Sequence, residues 1–360
     1  MRVAVTLEQL WHRVPGGTAR ATLDMVRALE ADGRVDLIGV SAWHRAEPPG
    51  EWASPIPVRS LPMPRVLLYD AWQRLRHPIV ERATGPVDLV HATAHVASAS
   101  RAPWVATVHD LHFLHDPSHF TPRGVAVFNR FLGLVRDEAA GVLCPSQATR
   151  ADCGAAGIDP QRLHLVPWAT DAEPVGPGEV DRVRAAYGID GPFVFFSGTV
   201  EPRKNLHRLI EAFGRVEPVV ARLVVAGPEG WSTDLPTEGV HRIGFVPRRD
   251  LHALYAAATV VCYPSLCEGF GLPVLEAMVQ GATVVTSGST STAEVAGDAA
   301  ILVDPLDVDD IAAGLARAIA DADLRERLGA AARVQAATFS WTRTAQDLVT
   351  AYEVALGGRR

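Results

Sequence analysis

The chain has 360 residues, 48% of them hydrophobic and 21% charged, with a net charge of −7 at pH 7. That length exceeds one ordinary core and points to two domains of roughly 150–200 residues each. No basic block offsets the negative charge, which argues against a nucleic-acid partner, because phosphate binding wants a basic face. The four cysteines, Cys144, Cys153, Cys262 and Cys267, form no C-x-x-C and read as free thiols of a reducing compartment. The start, MRVAVTLEQLWHRVPGG, lacks the apolar core of a signal peptide, and no run is long enough to span a membrane. A soluble, cytoplasmic protein is expected.

In chain order, the runs 2–6 (RVAVT), 35–40 (VDLIGV), 87–92 (VDLVHA), 104–110 (WVATVHD) and 141–146 (GVLCPS) are apolar without alternation. Strands covered on both faces have that pattern. Between the first two, TARATLDMVRALEADG has a helical period from Ala21 to Leu29 and a stop at Gly33. Residues 68–85 and 124–140 read as helices with apolar, aromatic and basic positions. They either cover the sheet in the ordinary way or touch a membrane surface or lipid-linked acceptor. LHLVP closes the first half, and the proline- and glycine-rich stretch 166–180 is the expected seam. Further strands are expected at 193–198, 222–227, 241–246, 259–265, 282–288 and 300–305, with helices between most of them. Two successive strand–helix alternations imply an α/β protein with two doubly wound parallel sheets, one in residues 1–170 and one in 171–340. A last helix, in 341–360, follows the second sheet.

Open parallel sheets bind ligands beyond the carboxyl ends of their strands, and two such sheets facing each other make a cleft. Three stretches put chemistry there. Gly16 and Gly17 precede a helix expected from about Thr18, where they allow close backbone approach to an anion. A flexible turn capped by Thr18 explains them equally. FFSGTVEPRKNLHRLIEAF is strand, glycine loop at Gly198, then helix, with Arg203 and Lys204 at the helix start. Cations there oppose the helix dipole, so they make sense either beside a bound diphosphate or as solvated surface charges. In CEGFGLPVLEA, Pro273 suits a first helical turn, and the amides of Gly271, Leu272, Val274 and Leu275 are expected to face phosphate oxygens. Glu276 is placed to accept two ribose hydroxyls, and Glu268 to reach a sugar ring from the other side. The plainer readings are dipole complementation for Glu276 and an exposed loop acid for Glu268. The histidine-rich stretch WVATVHDLHFLHDPSHF puts His109 and Asp110 at a strand end, with His112, His115 and His119 following and His91 and His95 one strand earlier. H-x-x-H-x-x-H on a loop fixes no tetrahedral metal geometry, so a sugar hydroxyl on His109 is the simpler expectation and no metal is assigned.

These motifs together resemble the retaining glycosyltransferases of family 4, which have the GT-B fold of two Rossmann-like domains facing a central cleft. EGFGLPVLEAMVQGATVV is similar to that family's E-x(7)-E signature, GTVEPRKNLHRLIEAF to its diphosphate-binding loop, and PGGTARAT to its N-terminal glycine loop. TVHDLHFLHDPSHF resembles the His-Asp segment of its bacterial mannosyl- and rhamnosyl-transferring members. The resemblance covers nearly the whole chain. It implies that Arg203 and Lys204 hold the donor diphosphate and Glu276 the donor ribose. Glu268, the amides of Gly269, Phe270, Gly271 and Leu272, and His109 then contact the transferred sugar. Gly16 and Gly17 lie near the phosphates and the acceptor, and Gly198 lies in the donor loop. The second domain holds the donor, the first the acceptor, and the last helix returns to the first domain. The chain departs from the family pattern at Ala169, Thr170 and Asp171, at Thr199 after Gly198, and at Ala293 before Glu294.

The expected activity is therefore hexose transfer from a nucleotide-diphosphate sugar, GDP-mannose first, to a glycan or lipid-linked sugar. It needs no cofactor, and peripheral membrane contact is an option. Two other classes remain open: a nucleotide-sugar 2-epimerase and a non-catalytic nucleotide-sugar-binding protein. A nicotinamide dehydrogenase is disfavoured, because no G-x-G-x-x-G follows either first strand.

Overall fold

The computed structural model describes residues 1–12, 16–216, 222–228, 230 and 239–357. It divides into two compact units, Met1–Ala169 with Ser340–Arg360, and Thr170–Phe339. Among the described residues, no helix is long and apolar enough to cross a membrane.

The first unit is built on β1 (Arg2–Thr6), β2 (Asp36–Ser41), β3 (Val58–Ser60), β4 (Leu89–Ala92), β5 (Trp104–Thr107), β6 (Gly141–Cys144) and β7 (Leu163–Leu165). They form one parallel sheet in the order β3-β2-β1-β4-β5-β6-β7. The apolar runs behave as expected: β4, β5 and β6 are buried throughout. Alternate residues of β1 feed two separate cores, Ala4 on one face and Val3 and Val5 on the other. β3 escapes the sequence pattern because it has three residues, two of them exposed. The expected helix over 68–85 is two helices, Arg65–Leu75 and Glu81–Thr84. Pro78 cannot continue a helix, and Arg76 turns the chain out with φ 50°.

The second unit contains β8 (Phe193–Ser197), β9 (Arg222–Ala226), β10 (Val240–Gly244), β11 (Val260–Tyr263), β12 (Val284–Ser287) and β13 (Ile301–Val303). They are also parallel, in the order β10-β9-β8-β11-β12-β13. In each unit the chain builds outward from its first strand and then resumes on that strand's other side. The crevice this leaves lies at the carboxyl ends of β1 and β4 in the first unit, and of β8 and β11 in the second.

The last helix, Trp341–Gly357, packs on the helix Gly16–Asp32, with Leu348, Val349 and Tyr352 in one core with Leu23, Val26 and Leu29. Tyr352 Oη lies 2.7 Å from His91 Nδ1, and His91 Nε2 lies 2.7 Å from Thr107 Oγ1. Burial, then the neighbouring His109, lowers the His91 pKa to about 3, so the ring is neutral and has one donor and one acceptor nitrogen, each paired. Tyr352→Phe leaves one of them unpaired in the core. It should cost about 1–3 kcal/mol of stability, measured by urea unfolding against the wild type.

Candidate functional site

In the second unit, the loop after β8 runs beneath the loop after β9. Val200 N donates to Pro228 O at 3.3 Å, and a Cβ on Gly227 would collide with the Gly198 carbonyl. Gly198 itself has φ 149°. A single 3₁₀ turn, Pro202–Lys204, follows, and Asn205 then adopts φ 60°. The Asn205 amide donates to Pro264 O at 2.9 Å and to Pro305 O at 2.6 Å, which fixes this turn against the ends of β11 and β13. Arg203 and Lys204 thus sit one turn before the helix Leu206–Arg215 rather than in its first turn, and the helix dipole is not what they face.

What they face is carboxylate. Lys204 Nζ donates to Glu268 Oε1 and to Tyr263 Oη, both at 2.5 Å. Arg203 Nη1 donates to Glu268 Oε2 at 3.1 Å, and its Nη2 lies 2.8 Å from Glu201 Oε1. The side chains are 9% exposed for Lys204, 8% for Glu268 and 25% for Arg203, so neither solvated cations nor an exposed acid describes them. Burial pushes the Glu268 carboxyl up, but the Lys204 and Arg203 charges, with the Lys204 hydrogen bond, outweigh it and hold it below the usual range. Burial, then the Arg203 charge, pulls the Lys204 ammonium down against the opposing pull of Glu268 and Glu201.

Glu268 lies on a loop held by Ser291 Oγ, which donates to the Glu268 carbonyl at 2.7 Å. Gly269 is buried in that loop, and the Phe270 ring packs edge-on against Phe339 at 5.6 Å. Gly271 has φ 114°, and a Cβ there would come within 3.0 Å of Thr292, so only glycine fits. The helix Leu272–Val279 begins next, with Pro273 at its second position. Four open amides were expected here, but two are taken. Val274 N and Leu275 N bond the Gly271 carbonyl at 3.0 and 3.1 Å, as an ordinary first turn requires. The Gly271 and Leu272 amides have no acceptor among the described residues. Glu276 falls just past that turn and keeps different company from Glu268. Its Oε1 lies 3.4 Å from Arg248 Nη2 and 3.8 Å from His252 Nε2. Arg248 also pairs with Asp171.

In the first unit, His109 leaves β5 and is 7% exposed. Its Nε2 lies 2.8 Å from the Thr93 carbonyl, which can only accept, so Nε2 carries the proton. Burial, then His95, lowers its pKa to about 4, so Nδ1 is a bare lone pair, and it has no partner among the described residues. The other histidines form pairs: His112 with His119 at 2.8 Å, His119 with Asp116 at 3.2 Å, and His115 with Asp152 at 3.0 Å. No group of three potential metal ligands gathers among the described residues. Gly16 and Gly17 are exposed in the first turn of the helix Gly16–Asp32, which starts two residues earlier than expected and excludes Thr18 as its cap. Val14 and Pro15 of that stretch lie outside the described residues.

Several site residues escaped sequence reasoning. Tyr263, Glu201 and Asn205 flank motifs that were read, and the signal for Tyr263 was its place at the end of a switch-point strand. Arg248 and His252, four apart on one helix, went unread. So did a polar hollow at the ends of β1 and β4 in the first unit. There Glu8 Oε2 accepts from Ala42 N at 2.7 Å while its Oε1 lies 2.9 Å from His44 Nε2. Tyr69 Oη and His12 Nε2 have no partner among the described residues, and Glu8 and Tyr69 line a cavity of about 10 Å³, room for one water.

Residues 15–174 match the Glycosyltransferase Family 4 profile, and residues 180–335 match the profile of Glycosyl transferases group 1. The O-antigen chain mannosyltransferase B of Escherichia coli is 34% identical over 267 residues, which cover 69% of this chain and 70% of that protein. The chain belongs to the family 4 glycosyltransferases. This glycosyltransferase is also 30% identical over 314 residues to a D-inositol 3-phosphate glycosyltransferase of Stackebrandtia nassauensis, covering 76% of this chain and 70% of the relative. The crystal structure of Anabaena Alr3699/HepE, in complex with UDP and glucose, superposes with a TM-score of 0.76 over 97% of this chain and 98% of that one, at 19% identity. Its likeness extends to the fold, which is GT-B.

Glu268→Gln keeps the shape and removes the charge, leaving Lys204 buried beside an amide. The substitution should cost on the order of 3 kcal/mol at pH 7. A carboxylate with a lowered folded pKa stabilises above its unfolded pKa, and that contribution fades as pH falls through the folded value. The gap between variant and wild type, read by melting at a series of pH values, should therefore narrow below pH of about 4.

Proposed function

We propose that this glycosyltransferase moves a hexose, mannose from GDP-mannose in the first instance, from a nucleoside-diphosphate sugar to a glycan or lipid-linked sugar with retention of configuration. The observation that carries this reading is the pairing of half-buried Arg203 and buried Lys204 with Glu268 at the β8–β11 crevice, three residues before the open amides of Gly271 and Leu272. The pair is neutralised by Glu201 and Glu268, so a diphosphate enters by exchange: its oxygens take the cations while Glu268 is released toward the transferred sugar. Glu276 accepts the ribose hydroxyls. His109, with its bare Nδ1, accepts from a hydroxyl of the same sugar, and Gly16 and Gly17 border the phosphates and acceptor. Gly198 and the backbone of Gly269 and Phe270 give the donor close approach.

The reaction breaks the bond between the sugar C1 and the phosphate oxygen and forms a bond from C1 to the acceptor oxygen on the same face. The acceptor proton passes to the departing phosphate. Arg203, Lys204 and the amides stabilise the charge that grows there, so this reading assigns no cofactor or metal. Mannose rests on the E. coli relative. The acceptor belongs to the first unit. The exposed Val66 and Leu67 on the helix Arg65–Leu75 suit contact with the cytoplasmic face of a membrane.

A thermal-shift panel of GDP, UDP, ADP and dTDP sugars tests the donor. At 100 times its dissociation constant, the true donor adds about 2.7 kcal/mol of stability, visible as a melting shift, and a flat response to all four counts against the reading. Lys204→Ala should lower nucleotide release by about 100-fold or more, the scale of losing one oxyanion stabiliser. Turnover within a few-fold of wild type would remove Lys204 from the mechanism. Incubating donor alone and finding an epimer rather than transfer or hydrolysis would favour the epimerase.

A further inference from the structure

A lysine ammonium has three donors on a flexible stem of four carbons, and its aim depends on what holds it. Among the described residues, two groups hold Lys204 Nζ: Glu268 Oε1 and Tyr263 Oη. In the proposed function, Glu268 must let go when the donor binds. Tyr263 need not.

We propose that Tyr263 is a positioning residue of the diphosphate site. Its hydroxyl keeps the Lys204 ammonium at the β8–β11 crevice while Glu268 gives way to a nucleoside diphosphate, so that the freed N–H groups meet the phosphate nearer the sugar. The inference rests on the reading of Arg203 and Lys204 as the diphosphate grip.

Both ends of the contact are fixed independently. Tyr263 ends β11 and is 1% exposed. Its carbonyl accepts from Thr286 Oγ1 at 2.8 Å, and its ring stacks on Phe196 at 5.6 Å with 17° between planes. The hydroxyl lies under the glycine loop, where a Cβ on Gly198 would stand 3.8 Å from it. On the other side, Asn205 pins the turn that carries Lys204. Nζ lies 5.0 Å from the ring centre and 2.5 Å from the hydroxyl, so the contact is with the polar end of the ring and not its face. The phenol pKa is raised well above its ordinary value, by burial first and then by the Glu268 charge, so the group stays neutral and accepts from the ammonium throughout the working pH range. Glycine at 198, asparagine at 205 and tyrosine at 263 thus act together, the first two by taking backbone conformations with positive φ, the third by holding the charge.

The experiment is calorimetric titration of wild type, Tyr263→Phe, Tyr255→Phe and Lys204→Ala with GDP, UDP, ADP, dTDP and the matching monophosphates. Wild type should prefer the diphosphate of its base. Tyr263→Phe should weaken that diphosphate by about tenfold or more, the scale of a hydrogen bond to a charged group, and leave the monophosphate within about twofold. Tyr255→Phe removes an equally buried phenol that bonds Ser197 Oγ at 2.6 Å, and it should keep the wild-type preference. Equal losses for mono- and diphosphate in Tyr263→Phe, or an unchanged diphosphate affinity, overturn the proposal. Lys204→Ala separates the two levels. If it loses the diphosphate preference while Tyr263→Phe keeps it, only the role of Tyr263 falls. If it retains the preference, or wild type binds none of the nucleotides, the diphosphate grip itself falls, and Tyr263 with it.

Discussion

Two positive and two negative side chains lie at the carboxyl ends of β8 and β11: Arg203, Lys204, Glu201 and Glu268. Taking charge out of water is costly, and a buried ion tolerates its surroundings only when partners surround it. The local backbone follows from that constraint. Asn205 accepts a left-handed conformation so that its amide can lock the cationic turn, and Gly271 accepts one so that the acidic loop can lie against Thr292. The group is neutral as a set, which offsets the cost of burying Lys204 and half-burying Arg203.

The fold was largely legible in the sequence, for a simple reason. Parallel strands covered on both faces need uninterrupted apolar runs, and these runs stand out between polar helices, as at 104–107 and 193–197. What failed was local. β3 was too short and too polar to register, and Pro78 divided a stretch whose periodicity alone suggested one helix. The start of the first helix was misplaced because glycines look like loop, yet here Gly16 and Gly17 form its opening turn.

The candidate site was legible by residue and not by partnership. Arg203, Lys204, Glu268 and Glu276 were all singled out, but sequence spacing pairs neighbours along the chain. It could not reveal that Glu268, more than sixty positions away, is the counter-ion of Lys204. Nor could it reveal that Val274 and Leu275 spend their amides inside their own helix. Glu8, Tyr69 and Arg248 carried no motif at all: the first two became visible through the cavity beside β1, and Arg248 through its pairing with Glu276.

His109 has a consequence of its own. The Thr93 carbonyl dictates which nitrogen holds hydrogen, and the low pKa keeps the other one bare from mildly acidic to alkaline solution. Whatever meets that face of the imidazole must bring its own proton. An alcohol can, whereas a ketone or a carboxylate oxygen would set lone pair against lone pair. One backbone oxygen thereby fixes the tautomer of the ring, with a hydrogen on Nε2 and a lone pair on Nδ1.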